Sequence, residues 1–203
     1  MSKKPVIVFE GIEGSGKSYH ISVISNYLKK KNIDHIKIRE PGGSFNAERI
    51  RKIILNNKST FDKKTDLLLY LAARSENINL LKKYYRKKVI LIDRFTDSTI
   101  AYQHYGFGLD LKLINSINKF LLDDFKIDLT ILHKVDKENM TKRLKSRKSL
   151  NRYDKFNSNF YLKIQKGFLK LSMKKNNKYQ IIDSSLDKNY NTSLIIEKIN
   201  KLL

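Results

Sequence analysis

Cysteine is absent from this 203-residue sequence, and proline occurs only twice. Without cysteine the chain can form neither disulfides nor thiolate metal sites. The four histidines are scattered along the chain without the short spacing that zinc ligands show, so a zinc site has no support. The histidines are His20, His35, His104 and His133.

Long apolar runs are also missing, since none approaches the roughly 18 residues that a membrane-spanning helix needs. The apolar stretch in MSKKPVIVFEG is too short for a signal peptide, and we expect a cytoplasmic protein with no membrane partner. No linker rich in proline, glycine or serine interrupts the chain, whose length suits one domain better than two. We therefore expect a single domain over residues 1–203.

Acidic residues are few for the number of basic ones, which gives a formal net charge of +22. A basic surface can bind nucleic acid. The excess is nearly all lysine, with 33 lysines against 9 arginines, and it accompanies 24 isoleucines. Both residue types have A/T-rich codons and the lysines form no single block, so we favour a compositional origin and expect no nucleic-acid partner. A nucleic-acid-stimulated ATPase stays open as the alternative.

Five short runs rich in valine and isoleucine predict β-strands, and helical patterns lie between them. The runs are continuously apolar, which is typical of parallel strands covered on both faces. The alternation predicts an α/β fold with a five-stranded parallel sheet flanked by helices on both faces, and a ligand site at the carboxyl ends of the strands. The predicted strands cover residues 6–10, 35–39, 88–93, 129–133 and 179–183.

The helices are predicted from the spacing of apolar residues and from residues suited to capping. Asp110 and Asp136 are each expected to cap the N-terminus of a helix, because an aspartate side chain accepts hydrogen bonds from free backbone N–H groups there. The other main helices are predicted at 67–85, at about 156–174 and at 193–203.

The stretch GIEGSGKS follows the first predicted strand and opens a predicted helix. It matches the phosphate-binding pattern G-x-x-x-x-G-K-[ST]. The backbone N–H groups of such a loop and the helix dipole bind phosphates, while the lysine reaches the β- and γ-phosphates and the serine holds Mg²⁺. The pattern predicts an ATP site made by Gly11, Ile12, Glu13, Gly14, Ser15, Gly16, Lys17 and Ser18.

The third predicted strand ends at Asp93, which Arg94 follows directly. Asp93 is the candidate metal-side carboxylate, together with Ser18. A fixed cation beside it suits the binding of a second phosphate in line with the first, since phosphoryl transfer depends on positioning and on neutralising charge. This favours a kinase over a hydrolytic ATPase. A structural ion pair of Arg94 with a nearby acid is the alternative.

The segment KRLKSRKSLNR covers residues 142–152, and six of its eleven residues are cationic. It predicts a mobile basic lid at about 142–154 that closes over the triphosphate, excludes water and brings arginine to the charge that develops in transfer. A solvated basic helix face would have a similar composition and stays the alternative.

Five motifs occur in a set order: GIEGSGKS, REPGG at 39–43, AARSE at 72–76, DRFTDSTIAYQ at 93–103 and LNRYD at 150–154. Their order and spacing resemble those of the bacterial thymidylate kinases, and the likeness covers nearly the whole chain. The resemblance implies a P-loop kinase that uses Mg²⁺ and transfers the γ-phosphate of ATP to dTMP, a step towards dTTP. It also implies a homodimer. A kinase for another nucleotide or a deoxynucleoside is the alternative within the class.

The resemblance implies roles at the acceptor site. Tyr70 is expected to stack on thymine, and Arg74, one helical turn later, to hydrogen-bond the base. Glu13 is expected to point out of the phosphate loop and accept a hydrogen bond from the sugar 3′-hydroxyl, and Tyr102 to exclude ribonucleotides. Core packing of the two tyrosines and a solvated or lysine-paired Glu13 are the alternatives. The residues implied for dTMP are Glu13, Arg39, Pro41, Gly42, Arg51, Tyr70, Arg74, Arg94, Ser98, Tyr102 and Gln103.

On the donor side the resemblance implies that Arg143 lies along adenine and that Arg147 and Arg152 approach the phosphates. Because GIEGSGKS contains no arginine, Arg152 is expected to stabilise the transferring group, and Arg152→Ala to lower kcat by about 10³-fold. The expected catalytic residues are Lys17, Asp93, Arg94 and Arg152.

The sequence departs from the family pattern in the lid and around the fourth strand. Asn151 and Asp154 alter the lid motif, Lys134 replaces an acid after the fourth strand, and Ile127 replaces the proline before Asp128. These departures leave the lid geometry and the dimer contacts open.

Overall fold

The structure, a computed structural model, describes residues 3–147, 149–174 and 176–203. Within these ranges the strands are β1 (Val6–Glu10), β2 (His35–Arg39), β3 (Val89–Asp93), β4 (Leu129–Lys134) and β5 (Tyr179–Asp183). They form one parallel sheet in the order β2-β3-β1-β4-β5. The predicted five-stranded parallel sheet is confirmed, and each strand limit lies within one residue of its prediction.

The strand register brings three carboxyl ends to one edge of the sheet. Asp93 of β3 lies beside Phe9 of β1 on one side and beside Arg39 of β2 on the other. The residues that follow these positions therefore meet at the same edge, which is where open parallel sheets bind ligands.

Helices cover both faces of the sheet. They are α1 (Lys17–Lys30), α2 (Phe45–Leu55), α3 (Lys63–Tyr84), α4 (Thr96–Thr99), α5 (Leu111–Leu122), α6 (Lys137–Lys145), α7 (Ser158–Lys174) and α8 (Lys188–Asn200). A π-helix at Ile100–Gly106 continues α4, and short 3₁₀ turns occupy Arg152–Lys155 and Asn176–Lys178. In the part of the chain that the structure describes, every helix is too short or too polar to cross a membrane.

The side chains of the central strand β1 are buried on both faces of the sheet. Ile7 and Phe9 pack in a buried cluster with residues of α1 and α8, whereas Val6 and Val8 pack in another with residues of α3. Successive side chains of a strand point to opposite faces. The continuous apolar run VIVF therefore fills two cores at once.

Both predicted aspartate caps are confirmed. Asp110 accepts a hydrogen bond from the Lys112 backbone N–H at the start of α5, and Asp136 accepts one from Asn139 at the start of α6. Helix α8 begins at Lys188, five residues before its predicted start. Its first turns are polar, so apolar spacing could not reveal them, and Asp187 caps them instead.

Candidate active site

The carboxyl ends of β1, β2 and β3 surround a cavity of about 290 Å³. Helices α2 and α3, the α4 segment and the lid close its other sides. Most of the residues predicted for ATP, dTMP and metal therefore meet at one place. Those that line the cavity are Glu13, Lys17, Ser18, Arg39, Pro41, Arg51, Tyr70, Arg74, Asp93, Arg94, Ser98, Tyr102, Gln103 and Arg147.

The phosphate loop connects β1 to α1 and requires glycine at two positions. Gly11 has φ 139°, and a Cβ atom there would lie 2.5 Å from the carbonyl oxygen of His133. Gly16 adopts the left-handed conformation, with φ 85°, at the N-cap of α1. Ile12 contributes its backbone, because its side chain is buried in the core. Gly14 and Ser15 complete the loop but do not line the cavity.

Lys17 lies inside the loop with 6% of its surface exposed. Its Nζ donates to the carbonyl oxygens of Gly11 and Ile12 at 2.8 and 2.9 Å. Burial lowers the pKa of Lys17 to about 7, and the neighbouring Arg94 acts in the same direction, whereas Asp93 and Glu13 oppose the shift. A triphosphate in this loop would supply the counter-charge that the site lacks.

Asp93 ends β3 beside the phosphate loop. Its Oδ1 is buried without a hydrogen-bond partner, and Ser18 lines the same cavity. An unpaired carboxylate oxygen and a nearby hydroxyl fit a hard divalent cation that takes its other ligands from phosphate and water. Across the described ranges, no group of three or more histidine, cysteine or acidic side chains could hold a metal by itself.

Arg94 joins the phosphate loop to the acceptor side of the cavity. It has φ 66°, an uncommon value for a residue with a side chain, and its backbone N–H donates to the Phe9 carbonyl at 2.9 Å. Its guanidinium donates to the Gly11 carbonyl and to Glu13 Oε1, each at 2.9 Å. The alternative ion pair of Arg94 thus exists, but the side chain also lines the cavity.

The carboxylate of Glu13 is buried, with 8% of the residue exposed. It lies between Arg94 and the hydroxyl of Tyr102, which donates to its other oxygen. The Arg94 guanidinium lies 5.4 Å from the Tyr102 ring centre. Glu13 is therefore directed into the cavity, and a solvated carboxylate does not describe it. Among the described residues its ion pair is with Arg94.

The inner end of the cavity is held by Arg74, of which 2% is exposed. Its Nε donates to Glu40 at 2.9 Å, and its two terminal nitrogens donate to Asn118 at 2.7 Å and to Thr99 at 3.0 Å. Both amide atoms of Gln103, in contrast, are buried without a partner. Gln103 is therefore the unsatisfied polar group best placed to pair with a ligand that enters the cavity.

Three tyrosine rings form one wall. The ring centroid of Tyr153 lies 5.8 Å from that of Tyr70 and 6.0 Å from that of Tyr102, each in an edge-to-face arrangement. Tyr102 and Gln103 belong to the π-helix, and π-helical segments are frequent at functional sites. Tyr153 belongs to the lid.

Two further arginines line the cavity near the REPGG turn. Arg39 donates to both carboxylate oxygens of Glu48, and Arg51 donates to the Pro41 carbonyl at 2.6 Å. Gly42 does not line the cavity, but its φ of 118° is a conformation that residues with a side chain rarely adopt, so the turn favours glycine there. With Arg94, these arginines give the acceptor side three cations.

The predicted lid folds in two parts. Residues 142–145 end α6, and Arg152–Lys155 form a 3₁₀ turn, whereas Lys148 lies outside the described residues. Asn151 accepts from the Tyr153 N–H at 2.8 Å, and Asp154 accepts from the Asn151 N–H at 3.0 Å. The unusual residues of LNRYD thus form a capping box that fixes the turn.

The lid arginines occupy different places. Arg147 lines the cavity and donates to the buried carboxylate of Asp154. Arg152 does not line it, because Asp66 of α3 binds its guanidinium at 2.5 Å on another side of the lid. Arg143 is also outside the cavity, where it donates to the carbonyl oxygens of Gly14 and Ser184 at 3.0 and 2.6 Å.

Sequence reasoning missed several residues of the cavity wall. Glu40, Phe95, Thr99 and Asn151 lie inside the quoted motifs and could have been found as neighbours of predicted residues. Tyr153 could have been found as the aromatic residue of LNRYD. Leu55 carries no such signal. The missed lining residues are Glu40, Leu55, Phe95, Thr99, Asn151 and Tyr153.

Two buried histidines lie next to the phosphate loop. His20 of α1 and His133 of β4 are joined by a hydrogen bond of 3.0 Å between ring nitrogens. Burial lowers the pKa of both histidines, and well below its ordinary value for His133. The pair therefore stays neutral in the folded protein at a pH where free histidine begins to protonate.

This pair predicts a loss of stability in mild acid. Because the folded pKa values lie below the unfolded value of about 6.5, the unfolded chain binds protons first, and stability falls as the pH falls below about 6.5. Between pH 7.5 and 5.5 we expect the melting temperature to drop about 5 °C less in His20→Gln/His133→Leu than in the unchanged protein. Thermal denaturation at both pH values measures this, and equal drops would contradict it.

The fold and the site together define a P-loop kinase. The family model for thymidylate kinase matches residues 9–195. The thymidylate kinase of Clostridium novyi is 35% identical over 190 residues, which are 91% of this chain and 93% of that protein. That of Geobacillus sp. is 37% identical over 182 residues, or 87% of each chain. The chain belongs to the thymidylate kinase family, and the resemblance stated from the motifs is confirmed.

A solved structure gives the same result. The crystal structure of thymidylate kinase from Ehrlichia chaffeensis matches with a TM-score of 0.78 and 29% sequence identity. The match covers 97% of this chain and 98% of that one. The similarity therefore extends over the lid and the cavity as well as the sheet.

Proposed function

We propose that this protein transfers the γ-phosphate of ATP to dTMP, which gives ADP and dTDP. The observation that carries the proposal is one cavity in which a phosphate loop meets Arg39, Arg51 and Arg94, a three-tyrosine wall and an unpaired glutamine. A hydrolytic ATPase needs only the phosphate loop. In this cavity a second phosphate and a second base can bind beside the donor phosphates.

On the donor side, the phosphate loop and Lys17 bind the β- and γ-phosphates of ATP. Ser18 and the unpaired oxygen of Asp93 would hold Mg²⁺, which supplies charge neutralisation on the phosphate oxygens when bound. Lys17 exchanges its two carbonyl partners for phosphate oxygens, whose negative charge offsets the effect of burial and favours the protonated lysine. Arg143 holds the loop against the segment after β5 on the side where adenine would lie.

On the acceptor side, Arg39, Arg51 and Arg94 bind the phosphate of dTMP. The Tyr70 ring stacks on thymine, Arg74 hydrogen-bonds the base, and Gln103 pairs with the base edge. The cavity also contains Ser98, whose hydroxyl donates to the buried Glu10 at 2.5 Å. Ser98 therefore shapes the wall around the nucleotide.

Glu13 and Tyr102 form the sugar side of the acceptor site. Their shared hydrogen bond fixes the Tyr102 ring, which leaves little room for a 2′-hydroxyl and so favours deoxyribose. Residues 1–203 act as one domain, and the protein works as a homodimer in the cytoplasm. The assembly and the location follow from the family and stay predictions.

Replacing Glu13 by glutamine is expected to raise KM for dTMP about tenfold and to change KM for ATP less than twofold. The amide loses the charge that pairs with Arg94 and one acceptor for the sugar hydroxyl, a loss that corresponds to about 1.4 kcal/mol. Steady-state kinetics with each substrate varied in turn measure both constants. Glu138→Gln, at an exposed position of α6, is the matched control. Equal increases in both constants would count against this role of Glu13.

The proposed function is tested by measuring ADP release from ATP with and without dTMP. We expect release to depend on dTMP and dTDP to accumulate in equal amount. The competing nucleic-acid-stimulated ATPase, suggested by the net charge of +22, predicts release that rises with added DNA or RNA and falls steeply with salt. Stimulation by nucleic acid without dTMP turnover would replace the proposal with that alternative.

A further inference from the structure

Helix α3 carries three functional positions on one face. Asp66, Tyr70 and Arg74 are spaced four residues apart, so their side chains follow one another along the helix. Tyr70 and Arg74 line the cavity. Asp66 is one turn further out, and only 3% of it is exposed. The face that binds the acceptor base in the proposed function therefore continues into a buried carboxylate.

Two consecutive lid residues donate hydrogen bonds to this carboxylate. The guanidinium of Arg152 donates to Oδ1 of Asp66 at 2.5 Å, and the hydroxyl of Tyr153 donates to Oδ2 at 2.8 Å. Arg152 also donates to the Ile54 carbonyl at 3.1 Å and lies 5.5 Å from the Phe61 ring centre. The lid turn is thus attached to α3 by a buried ion pair and a hydrogen bond to the same acid.

This attachment shapes the acceptor pocket. The hydroxyl of Tyr153 is bound to Asp66, and its ring is in edge contact with Tyr70 and Tyr102. Removing either Asp66 or Arg152 would leave the other charge buried without its partner, which strongly destabilises the folded arrangement. The position of the Tyr153 ring depends on both.

We propose that Asp66 is a positioning residue that docks the lid on α3, and that Arg152 acts through Asp66 instead of contacting the transferring phosphate. Docking places Tyr153 against the acceptor base, so that lid position and acceptor binding are coupled. Arg147, which lines the cavity, is then the lid arginine that faces the phosphates. This inference rests on the proposed function and replaces the role that the family resemblance implied for Arg152.

The kinetic test is a double-mutant cycle with Asp66→Asn, Arg152→Ala and the combined variant. We expect each single change to raise KM for dTMP about tenfold and to lower kcat less than threefold. The KM of the combined variant for dTMP should be no higher than the higher of the two single-variant values, because the two changes remove the same interaction. Asp66→Glu, which keeps the charge, should recover part of the lost affinity. Asp62→Asn, at the exposed N-cap of the same helix, should have no effect, because asparagine caps a helix as well as aspartate does.

A loss of about 10³-fold in kcat for Arg152→Ala, additive with Asp66→Asn, would overturn the inference and restore direct contact with the transferring group. Hydrogen exchange of the amides at 151–155 without any substrate separates this inference from the proposed function. Faster exchange in both single variants than in the unchanged protein supports docking. Unchanged exchange overturns it, whichever acceptor the enzyme uses.

Discussion

Lys17→Met is expected to lower kcat by about 10³-fold or more while the protein stays folded. Lys17 is the cation of the phosphate loop, and it is held inside that loop by the carbonyl oxygens of Gly11 and Ile12. Methionine keeps a similar length and fills the same space, but it brings no charge to the β- and γ-phosphates. The loss should therefore appear in the chemical step, because negative charge moves onto the leaving β-phosphate oxygens in the transition state, where a loop cation stabilises it most.

The measurement is steady-state ADP release at saturating ATP and dTMP, with thermal denaturation as the check on folding. Lys29→Met is the matched control, since Lys29 is an exposed lysine in the last turn of the same helix. We expect its kcat to equal that of the unchanged protein. A Lys17→Met variant within tenfold of the unchanged kcat would show that the loop lysine does not take part in transfer.

Arg94→Ala is expected to lower kcat/KM for dTMP by about 10³-fold and to change KM for ATP less than threefold. Arg94 is the cation between the phosphate loop and the acceptor side, and it pairs with Glu13 at 2.9 Å. Without it, the Glu13 carboxylate would stay in the cavity and repel the phosphate of dTMP. The expected loss combines the missing attraction with this repulsion, which is why it exceeds the effect of an ordinary hydrogen bond.

Arg94→Lys separates charge from geometry at this position. Lysine keeps the positive charge but lacks the planar fork that contacts Gly11 and Glu13 together. We expect its kcat/KM for dTMP to lie between those of alanine and arginine. Varying ATP and dTMP in turn gives the constants. Equal losses for the two substrates in Arg94→Ala would place Arg94 on the donor side and contradict the acceptor role.

The sheet could be predicted from the sequence because its signal is local. Each strand is a short apolar run, and residues on both faces of a central strand such as β1 must be apolar. The phosphate loop was also predictable, since its function requires glycine and lysine at fixed spacing. The π-helix at Ile100–Gly106 has no comparable pattern, and its place in the cavity wall emerges only from the fold.

The lid shows what the sequence could not supply. Its basic composition located the segment, but composition does not tell which arginine faces the phosphates. Asp66 and Arg152 are 86 residues apart in the chain, and their contact depends on how the lid turn packs on α3. Tyr153 enters the acceptor wall for the same reason. The roles that we propose for Arg147 and Arg152 rest on these tertiary contacts.

The most direct test of the proposed function is a comparison of acceptors in one coupled assay of ADP release. The panel contains dTMP, dUMP, dCMP, UMP, AMP and thymidine, each with saturating ATP and Mg²⁺. The cavity contains Arg39, Arg51 and Arg94 for the acceptor phosphate, three tyrosine rings and the unpaired Gln103. It predicts the highest kcat/KM for dTMP and almost no turnover of thymidine, which lacks the phosphate. A higher kcat/KM for any other acceptor would contradict it.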